Sequence, residues 1–161
     1  MQTNLILTKT DYKMKTYNVT VDNDGAVKWR LDGKLHRENG PAVEHADGSR
    51  MWYLDGKLHR EVGPAVEDAD GDKLWCINGK LHREDGPAIE YGNGDKYWYI
   101  NNKLHREDGP AVEHANGDRM WYINGKNLTE AEFKERTKKN LTLAVKVVEI
   151  DGIKYELKRV D

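Results

Sequence analysis

Four copies of the triplet His-Arg-Glu bring a base, a cation and an acid together, groups that could transfer protons or hold an anion. The copies recur at one constant interval, at 36–38, 59–61, 82–84 and 105–107. Neighbouring side chains of a strand point to opposite faces, so His59 and Arg60 are not expected to converge on one substrate. No nucleophile and no phosphate-binding glycine loop recurs with the triplet. We therefore expect no catalytic residues and no enzyme activity.

The four histidines of the triplets, His36, His59, His82 and His105, suggest a metal site at first sight. Equivalent residues of successive repeats are expected to lie two strands apart, or about 9 to 10 Å. Zinc-bound nitrogens lie about 2.0 to 2.1 Å from one shared ion, so this column cannot close a single site. We expect no metal and no cofactor. Each ring is predicted to pack on a tryptophan across the sheet and to form local hydrogen bonds.

The arginines of the triplets form a second column, which could bind an anion with tyrosines nearby for stacking. The candidate binding residues of this column are Arg37, Arg60, Arg83, Arg106, Tyr53 and Tyr99. The alternative is that glutamates neutralise three of these arginines, each across one apolar residue. The predicted pairs are Glu44 with Arg60, Glu67 with Arg83, and Glu90 with Arg106. Exposed ion pairs contribute about 0 to 1 kcal/mol each, and we favour this structural role for the three.

The first repeat departs from that arrangement. Arg37 is predicted to face Lys28, Val21 stands where later repeats have glutamate, and Arg30 replaces the usual tyrosine. Lys28, Arg30 and Arg37 are therefore predicted to form an uncompensated basic cluster, close in sequence to three further lysines of the N-terminal arm, Lys9, Lys13 and Lys15. This cluster is the leading candidate for contact with a partner. A basic group on the predicted C-terminal helix has a simpler explanation, because a helix C-terminus favours cations.

The elements that must position these side chains are tandem repeats with a period of 23. All five tryptophans share the interval of the triplets: Trp29, Trp52, Trp75, Trp98 and Trp121. A period of this length is typical of architectures in which units stack on their neighbours. Asp55-Gly56 and its equivalents favour a type I′ turn, and Asp47-Gly48 marks a second turn in each unit. Each repeat is thus predicted to contribute about two antiparallel strands, interrupted where Gly63-Pro64 and its equivalents stand.

Turn chemistry predicts the register within a repeat. With Asp55-Gly56 at the centre of a two-residue turn, Leu54 pairs with Lys57 and Tyr53 with Leu58. The same logic at Asp47-Gly48 gives two further pairs, Val43 with Trp52 and Glu44 with Met51.

Beyond Lys126 the repeat pattern ends. Thr129 to Glu132 form a capping box that predicts a helix from Glu130 to about Lys139. Strands are predicted over 141–150 and 153–160, and Asp151-Gly152 forms the turn between them. Ile153, Tyr155 and Leu157 alternate with charged residues, as expected for a half-buried strand. We divide the chain into an N-terminal arm or capping strand (1–17), the repeats (18–126) and a C-terminal cap (127–161).

Composition limits the classes of function. Of the 161 residues, 37% are apolar and 34% are charged, which suits an elongated stack better than a compact globule. The net charge of -2 argues against non-specific nucleic-acid binding. Cys76 is the single cysteine, so no internal disulfide is expected. No apolar run approaches the length of a membrane span, and we expect a soluble cytoplasmic protein that does not associate with membranes.

The core Trp-x-x-x-Gly-Lys-x-His, followed by Gly-Pro-Ala and a later Asp-Gly or Asn-Gly turn, resembles MORN-type repeats. The longer repeat motif, in which Arg follows the histidine, is similar to MORN-like repeats of tailed bacteriophage and giant-virus proteins. The resemblance covers about residues 18–126. It implies stacked antiparallel hairpins and a binding or scaffolding role, with the host cytoplasm as the location if the source is viral.

These observations predict a mainly β protein, an elongated antiparallel meander of stacked hairpin repeats with a small C-terminal α/β cap. The expected function is a non-catalytic scaffold that binds another macromolecule, most simply a protein of the host. The alternative is a binder that sequesters an anionic small molecule, such as a nucleotide, through the arginine and aromatic columns.

Overall fold

The computed structural model describes residues 15–144 and 146–157. The elements, in chain order, are β1 (Asn18–Val21), β2 (Val27–Leu31), β3 (Lys34–Leu35), β4 (Val43–Glu44), β5 (Arg50–Met51), β6 (Tyr53–Leu54), β7 (Lys57–Leu58), β8 (Val66–Glu67), β9 (Lys73–Leu74), β10 (Cys76–Ile77), β11 (Lys80–Leu81), β12 (Ile89–Glu90), β13 (Lys96–Tyr97), β14 (Tyr99–Ile100), β15 (Lys103–Leu104), β16 (Val112–Glu113), β17 (Arg119–Ile123), β18 (Lys126–Leu128), α1 (Glu130–Ala144), β19 (Lys146–Ile150) and β20 (Ile153–Leu157). Residues 1–14 of the predicted arm, including Lys9 and Lys13, lie outside the described residues, as do 158–160 of the predicted last strand.

The chain is mainly β, as predicted. One antiparallel sheet of 12 strands runs along the array in the order β1-β2-β4-β5-β8-β9-β12-β13-β16-β17-β18, and β3 pairs with β2. In each middle repeat a short hairpin leaves this sheet: β6-β7, β10-β11 or β14-β15. Each middle repeat therefore adds two strands to a continuous sheet and one separate hairpin.

The strands of the long sheet are only two residues long in the middle of the array, and they form two rows across it. One row is apolar: Val43, Met51, Val66, Leu74, Ile89, Tyr97 and Val112. The other alternates in charge: Glu44, Arg50, Glu67, Lys73, Glu90, Lys96, Glu113 and Arg119. Directly opposed unlike charges each stabilise a sheet by roughly 0.2 to 1 kcal/mol, so this row reinforces the register that buries the apolar one.

The predicted register is correct at the first turn of each repeat. Tyr53 pairs with Leu58 and Leu54 with Lys57. Asp55 and Gly56 both have positive φ, 50° and 79°, as a type I′ turn requires. In the fourth repeat Asn101 and Asn102 also adopt positive φ, 51° and 64°, because asparagine tolerates this region.

At the second turn the predicted register is wrong by one residue. Val43 pairs with Met51 rather than Trp52, and Glu44 pairs with Arg50 rather than Met51. The N–H of His45 donates to the carbonyl of Ser49 at 2.9 Å, which closes a loop of three residues, 46–48. Of these three only Gly48 has positive φ, 96°, which fits a turn with a left-handed bulge residue and not a type I′ pair.

The core is a narrow column of alanines. Ala42, Ala65, Ala88 and Ala111 have no exposed surface. Their carbonyls accept the N–H groups of Trp29, Trp52, Trp75 and Trp98 at 2.8 Å. Larger buried side chains flank the column, among them Val43, Val66, Ile89, Val112 and Cys76. Cys76 replaces tyrosine in its column and is 4% exposed, as expected for a small apolar filler.

The C-terminal segment matches the prediction in part. The capping box is confirmed: the N–H of Thr129 donates to Glu132 Oε2 at 2.7 Å, and the N–H of Glu132 donates to Thr129 Oγ1 at 3.2 Å. The helix α1 runs to Ala144, however, so the strand predicted from 141 begins only at Lys146. Local charge and capping define where this helix starts, but no breaker follows Lys139 to end it there.

The predicted half-burial of the last strand is wrong at the two apolar positions whose exposure is described. Ile153 and Tyr155 are 57% and 47% exposed. Among the described strands, β19 and β20 pair only with each other. Within the described part of the chain, no helix combines the length and apolar character needed to cross a membrane.

Candidate binding face

Each triplet arginine is held flat on the tryptophan of its own repeat. In the second repeat the Arg60 Cζ atom lies 3.8 Å from the centre of the Trp52 ring. Arg60 Nη1 donates to the carbonyl of Pro64 at 2.9 Å and to Glu67 Oε1 at 2.7 Å. The same stacking recurs in the other repeats, for Arg37 on Trp29, Arg83 on Trp75 and Arg106 on Trp98. A guanidinium group is suited to this role because it stacks and donates in one plane.

This stacking explains the glycine that precedes each Pro-Ala. A Cβ atom at Gly86 would lie 2.9 Å from Arg83 Cζ, and one at Gly109 would lie 3.0 Å from Arg106 Cζ. The equivalent distances at Gly40 and Gly63 are 3.1 and 3.2 Å. A larger residue would force the guanidinium to shift from this position. The glycine is therefore a packing requirement.

The predicted partners of the arginines are wrong by one repeat. Each arginine binds the glutamate seven residues after it, so Glu44 pairs with Arg37 at 2.8 Å and not with Arg60. The remaining pairs are Arg83 with Glu90 and Arg106 with Glu113. The prediction assumed that the strand continues through the arginine, whereas β7 ends at Leu58 and the chain then turns back over the tryptophan.

The predicted basic cluster of the first repeat is not uncompensated. Arg37 pairs with Glu44, Lys28 forms an ion pair with Asp22, and Arg30 Nη1 donates to Thr20 Oγ1 at 3.0 Å. The premise of uncompensated charge therefore fails for Lys28 and Arg37, whose carboxylate partners come from the turn after β1 and from β4, whereas the partner of Arg30 is an uncharged hydroxyl of β1.

The triplet histidines join successive repeats. His59 Nδ1 accepts the backbone N–H of Asn78 at 3.2 Å, and His105 Nδ1 accepts that of Asn124 at 3.1 Å. His36 Nδ1 accepts the N–H of Asp55 at 3.1 Å. These bonds span 19 residues, so the prediction of local hydrogen bonds is wrong.

The fourth repeat lacks the equivalent hydrogen bond to the histidine of the preceding repeat. Asn102 stands where the other turns have glycine, and its Oδ1 accepts the N–H of Leu81 at 2.7 Å. His82 Nδ1 is buried and has no hydrogen-bond partner among the described residues. Its Nε2 lies 3.6 Å from Glu84.

Open grooves separate successive loops on this side of the array. The loops are His-Arg-Glu-x-Gly segments, here named loop 1 (36–40), loop 2 (59–63), loop 3 (82–86) and loop 4 (105–109). Groove A lies between loops 1 and 2, groove B between loops 2 and 3, and groove C between loops 3 and 4. Their volumes are about 400, 460 and 650 Å³. We call the loops and grooves together the groove face.

Each groove has an aromatic floor and charged walls. Trp52 and Leu54 line groove A, Trp75 and Ile77 line groove B, and Trp98 and Ile100 line groove C. The histidine, arginine and glutamate of the following loop line the same groove in each case. The prediction that His59 and Arg60 cannot face one site is therefore wrong, because strand alternation stops at Leu58.

Acidic residues increase along the groove face. Asp85 and Asp108 stand where loops 1 and 2 have Asn39 and Val62. Asp85 accepts a hydrogen bond from Arg83 Nε at 2.9 Å, which holds the pKa of that carboxyl below its usual value. Asp108 accepts one from Arg106 Nε at 2.8 Å. Both arginines of groove C thus hold two carboxylates each, whereas Arg37 and Arg60 have one each among the described residues.

The predicted tyrosines do not join the arginines. Tyr53 and Tyr99 are absent from the linings of all three grooves. They flank Cys76 in their column, and burial raises the pKa of both hydroxyls. The aromatic partners of the arginines are the tryptophans, which sequence reasoning missed as binding residues along with the acidic walls. The aspartates at 85 and 108, which interrupt the repeat at an exposed position, were the available signal.

No family model matches this chain, and no curated protein is similar to it at a significant level. Among the described residues, no three side chains of His, Cys, Asp or Glu are grouped so that they could hold a metal ion.

Proposed function

We propose that this protein is a non-catalytic, MORN-like repeat scaffold that binds another protein through its groove face. The observation that carries the proposal is the recurrence of three tryptophan-floored grooves on one side of a continuous 12-stranded sheet. The tryptophan and arginine side chains of the grooves are half-buried, and both residue types are enriched in protein interfaces. The repeat motif resembles that of tailed-bacteriophage and giant-virus proteins. On this resemblance we extend the proposal to a phage product that engages a host protein in the host cytoplasm.

The polar groups of the grooves support binding rather than catalysis. The arginine of each loop is engaged by tryptophan, glutamate and a proline carbonyl, and three of the four histidines accept a backbone N–H from the next repeat. Seryl, threonyl, cysteinyl and lysyl side chains are missing from the linings of the three grooves. The hydroxyl, thiol and amine nucleophiles of covalent catalysis are therefore absent from these linings.

The negative charge of groove C favours a protein partner over the alternative, an anionic small molecule. Glu84, Asp85, Glu107 and Asp108 all line groove C, and each has 78% or more of its side chain exposed. The arginines there are already neutralised by two carboxylates each. A nucleotide would meet a negative surface, so the groove with the largest volume disfavours it.

The test uses a photo-crosslinking amino acid at position 62 and, as a control, at position 70. Val62 is 85% exposed and lines grooves A and B, whereas Asp70 is an exposed residue of the turn between β8 and β9. A discrete protein adduct from host lysate at position 62 but not at 70 is expected. Adducts at 70 alone, or nucleotides that raise the melting temperature, would contradict the proposal.

A further inference from the structure

The N-terminal arm shows how a chain segment can occupy the groove face. Tyr17 packs edge-on against Trp29, with ring centres 5.9 Å apart, and lies 6.2 Å from the His36 ring. Two residues earlier, Lys15 forms an ion pair with Glu38 of loop 1. The contact involves a tryptophan, a histidine and a glutamate that recur in every repeat.

The wall touched by this arm is repeated in grooves A, B and C. The residues equivalent to Trp29, His36 and Glu38 are Trp52, His59 and Glu61 in groove A, Trp75, His82 and Glu84 in groove B, and Trp98, His105 and Glu107 in groove C. Within residues 15–144 and 146–157, no aromatic ring packs on Trp52, Trp75 or Trp98. Among the described residues, an aromatic side chain therefore packs on this repeated surface only at Trp29, and the three grooves leave the equivalent place open to the aromatic side chain of another molecule.

The spacing of the grooves defines the period of a matching ligand. Successive grooves are one repeat apart, which is two strand spacings or about 9.4 to 9.8 Å. A polyproline II segment advances about 9.3 Å in three residues and returns to the same side each time. One side chain in every three can thus enter successive grooves.

Charge defines the second feature of the ligand. Glu61, Glu84 and Glu107 occupy the place of Glu38, and Asp85 and Asp108 add further negative charge around groove C. A cation in the position equivalent to that of Lys15 would lie next to a carboxylate in every groove. Glu84 and Glu107 keep 85% and 78% of their side chains exposed, so a ligand can reach them.

We infer that the three grooves bind an extended protein segment with an aromatic residue at every third position and a lysine or arginine two residues before each. The inference rests on the groove face being the binding surface, and it specifies the partner. Each aromatic side chain takes the place that Tyr17 has beside Trp29. Each cation binds the glutamate of the loop, with groove C contributing most.

The probe is a fluorescent peptide of three Lys-Thr-Tyr triplets, which reproduces residues 15–17 at the three-residue period. Binding to the full chain is measured by fluorescence anisotropy at low and moderate salt. Three control peptides carry Glu for Lys, Ala for Tyr, or one extra Thr in each unit so that the period becomes four residues. We expect each control to bind at least tenfold more weakly.

The matched protein variants carry the same change in charge at two places. Glu84→Lys with Glu107→Lys alters the groove face, whereas Asp24→Lys with Asp70→Lys alters exposed turn residues of the long sheet. The first pair should weaken binding at least tenfold and the second less than threefold. Circular dichroism checks that both proteins fold, as expected for exposed carboxylates.

Three outcomes would overturn the inference: no binding of the triplet peptide, equal binding of the Ala-for-Tyr peptide, or equal losses in the two double variants. The crosslinking result separates this failure from failure of the proposed function. An adduct at position 62 without peptide binding would leave a protein scaffold whose partner has different chemistry. Loss of both would remove the groove face as the binding surface.

Discussion

The repeat array and the C-terminal segment are stabilised in different ways. In the array, backbone N–H groups are capped by side chains of the preceding repeat: Asp95 Oδ1 accepts the N–H of Ala115 at 2.7 Å, and Asp72 Oδ1 accepts that of Gly92 at 2.8 Å. The Ala115 bond holds the pKa of Asp95 below its usual value. In α1, by contrast, Lys134 pairs with Glu130 within one helical turn. The array depends on neighbours in the adjoining repeat, the helix largely on itself.

The repeat array and the C-terminal segment also differ in how they bury their side chains. Each array repeat buries its alanine completely between adjoining units. The helix α1 lies against β17 and β18 and buries Phe133, which is 6% exposed. The hairpin beyond it leaves Ile150 and Ile153 more than half exposed. A repeat therefore depends on its neighbours for burial, whereas Ile150 and Ile153 of the final hairpin lack such packing.

The largest effect is expected from deletions that shift the repeat period. Removing the unit 52–74, which is one whole repeat, restores every inter-repeat bond and should leave a folded protein. Removing about half of that unit puts turns and faces out of phase and should abolish the cooperative transition. Circular dichroism with thermal melting distinguishes the two. Deletion of 145–161 is the control and should leave the melting of the array nearly unchanged; identical behaviour of all three proteins would refute the contrast.

A smaller effect is expected from arginine reversal inside the array. Arg37→Glu and Arg83→Glu should each lower the free energy of unfolding by about 2 kcal/mol, because both lose a tryptophan stack and a carbonyl hydrogen bond. Urea denaturation measures this. Arg136→Glu, at an exposed position of α1, should change it by less than about 0.5 kcal/mol. If Arg37→Glu left the free energy of unfolding unchanged, the prediction of an uncompensated basic cluster would stand again.

Gly86→Ala tests the close approach of the guanidinium to the backbone. Because the new Cβ atom would lie 2.9 Å from Arg83 Cζ, we expect a loss of about 1 kcal/mol in the free energy of unfolding. In an Arg83→Met background the clash is absent, so the same glycine substitution should have little effect. Urea midpoints of the four proteins form a double-mutant cycle. Additive losses would show that the glycine is needed for another reason.

The smallest effect on stability concerns Cys76. Burial raises the pKa of its thiol to about 11, so alkylation by iodoacetamide at pH 8 should be far slower than for a cysteine introduced as Ile150→Cys. The raised pKa contributes stability that is complete below the unfolded value near 9 and is lost as pH rises toward 11. Mass spectrometry and urea midpoints between pH 8 and 11 measure both. Equal alkylation rates would show that the array opens as readily as the hairpin.

Sequence reasoning was most successful for interactions between residues that are close together in the chain. The type I′ turn at Asp55-Gly56 and the capping box at Thr129 depend on residues at most three positions apart, and both were predicted correctly. The turn at Asp47-Gly48 was assigned the wrong length, although pairing Glu44 with Arg50 places opposite charges together and could have indicated the correct register.

The repeat period, the meander and the places where the chain reverses follow from the sequence alone, because turn geometry and stacking depend on residue types at short intervals. Two features could be read only from the fold: which glutamate each arginine binds, and that histidine and arginine face one groove. Those contacts depend on the path of the loop after Leu58, where the chain leaves the strand. That path is set by a guanidinium group packed between a tryptophan and a glycine, a contact that strand alternation does not describe.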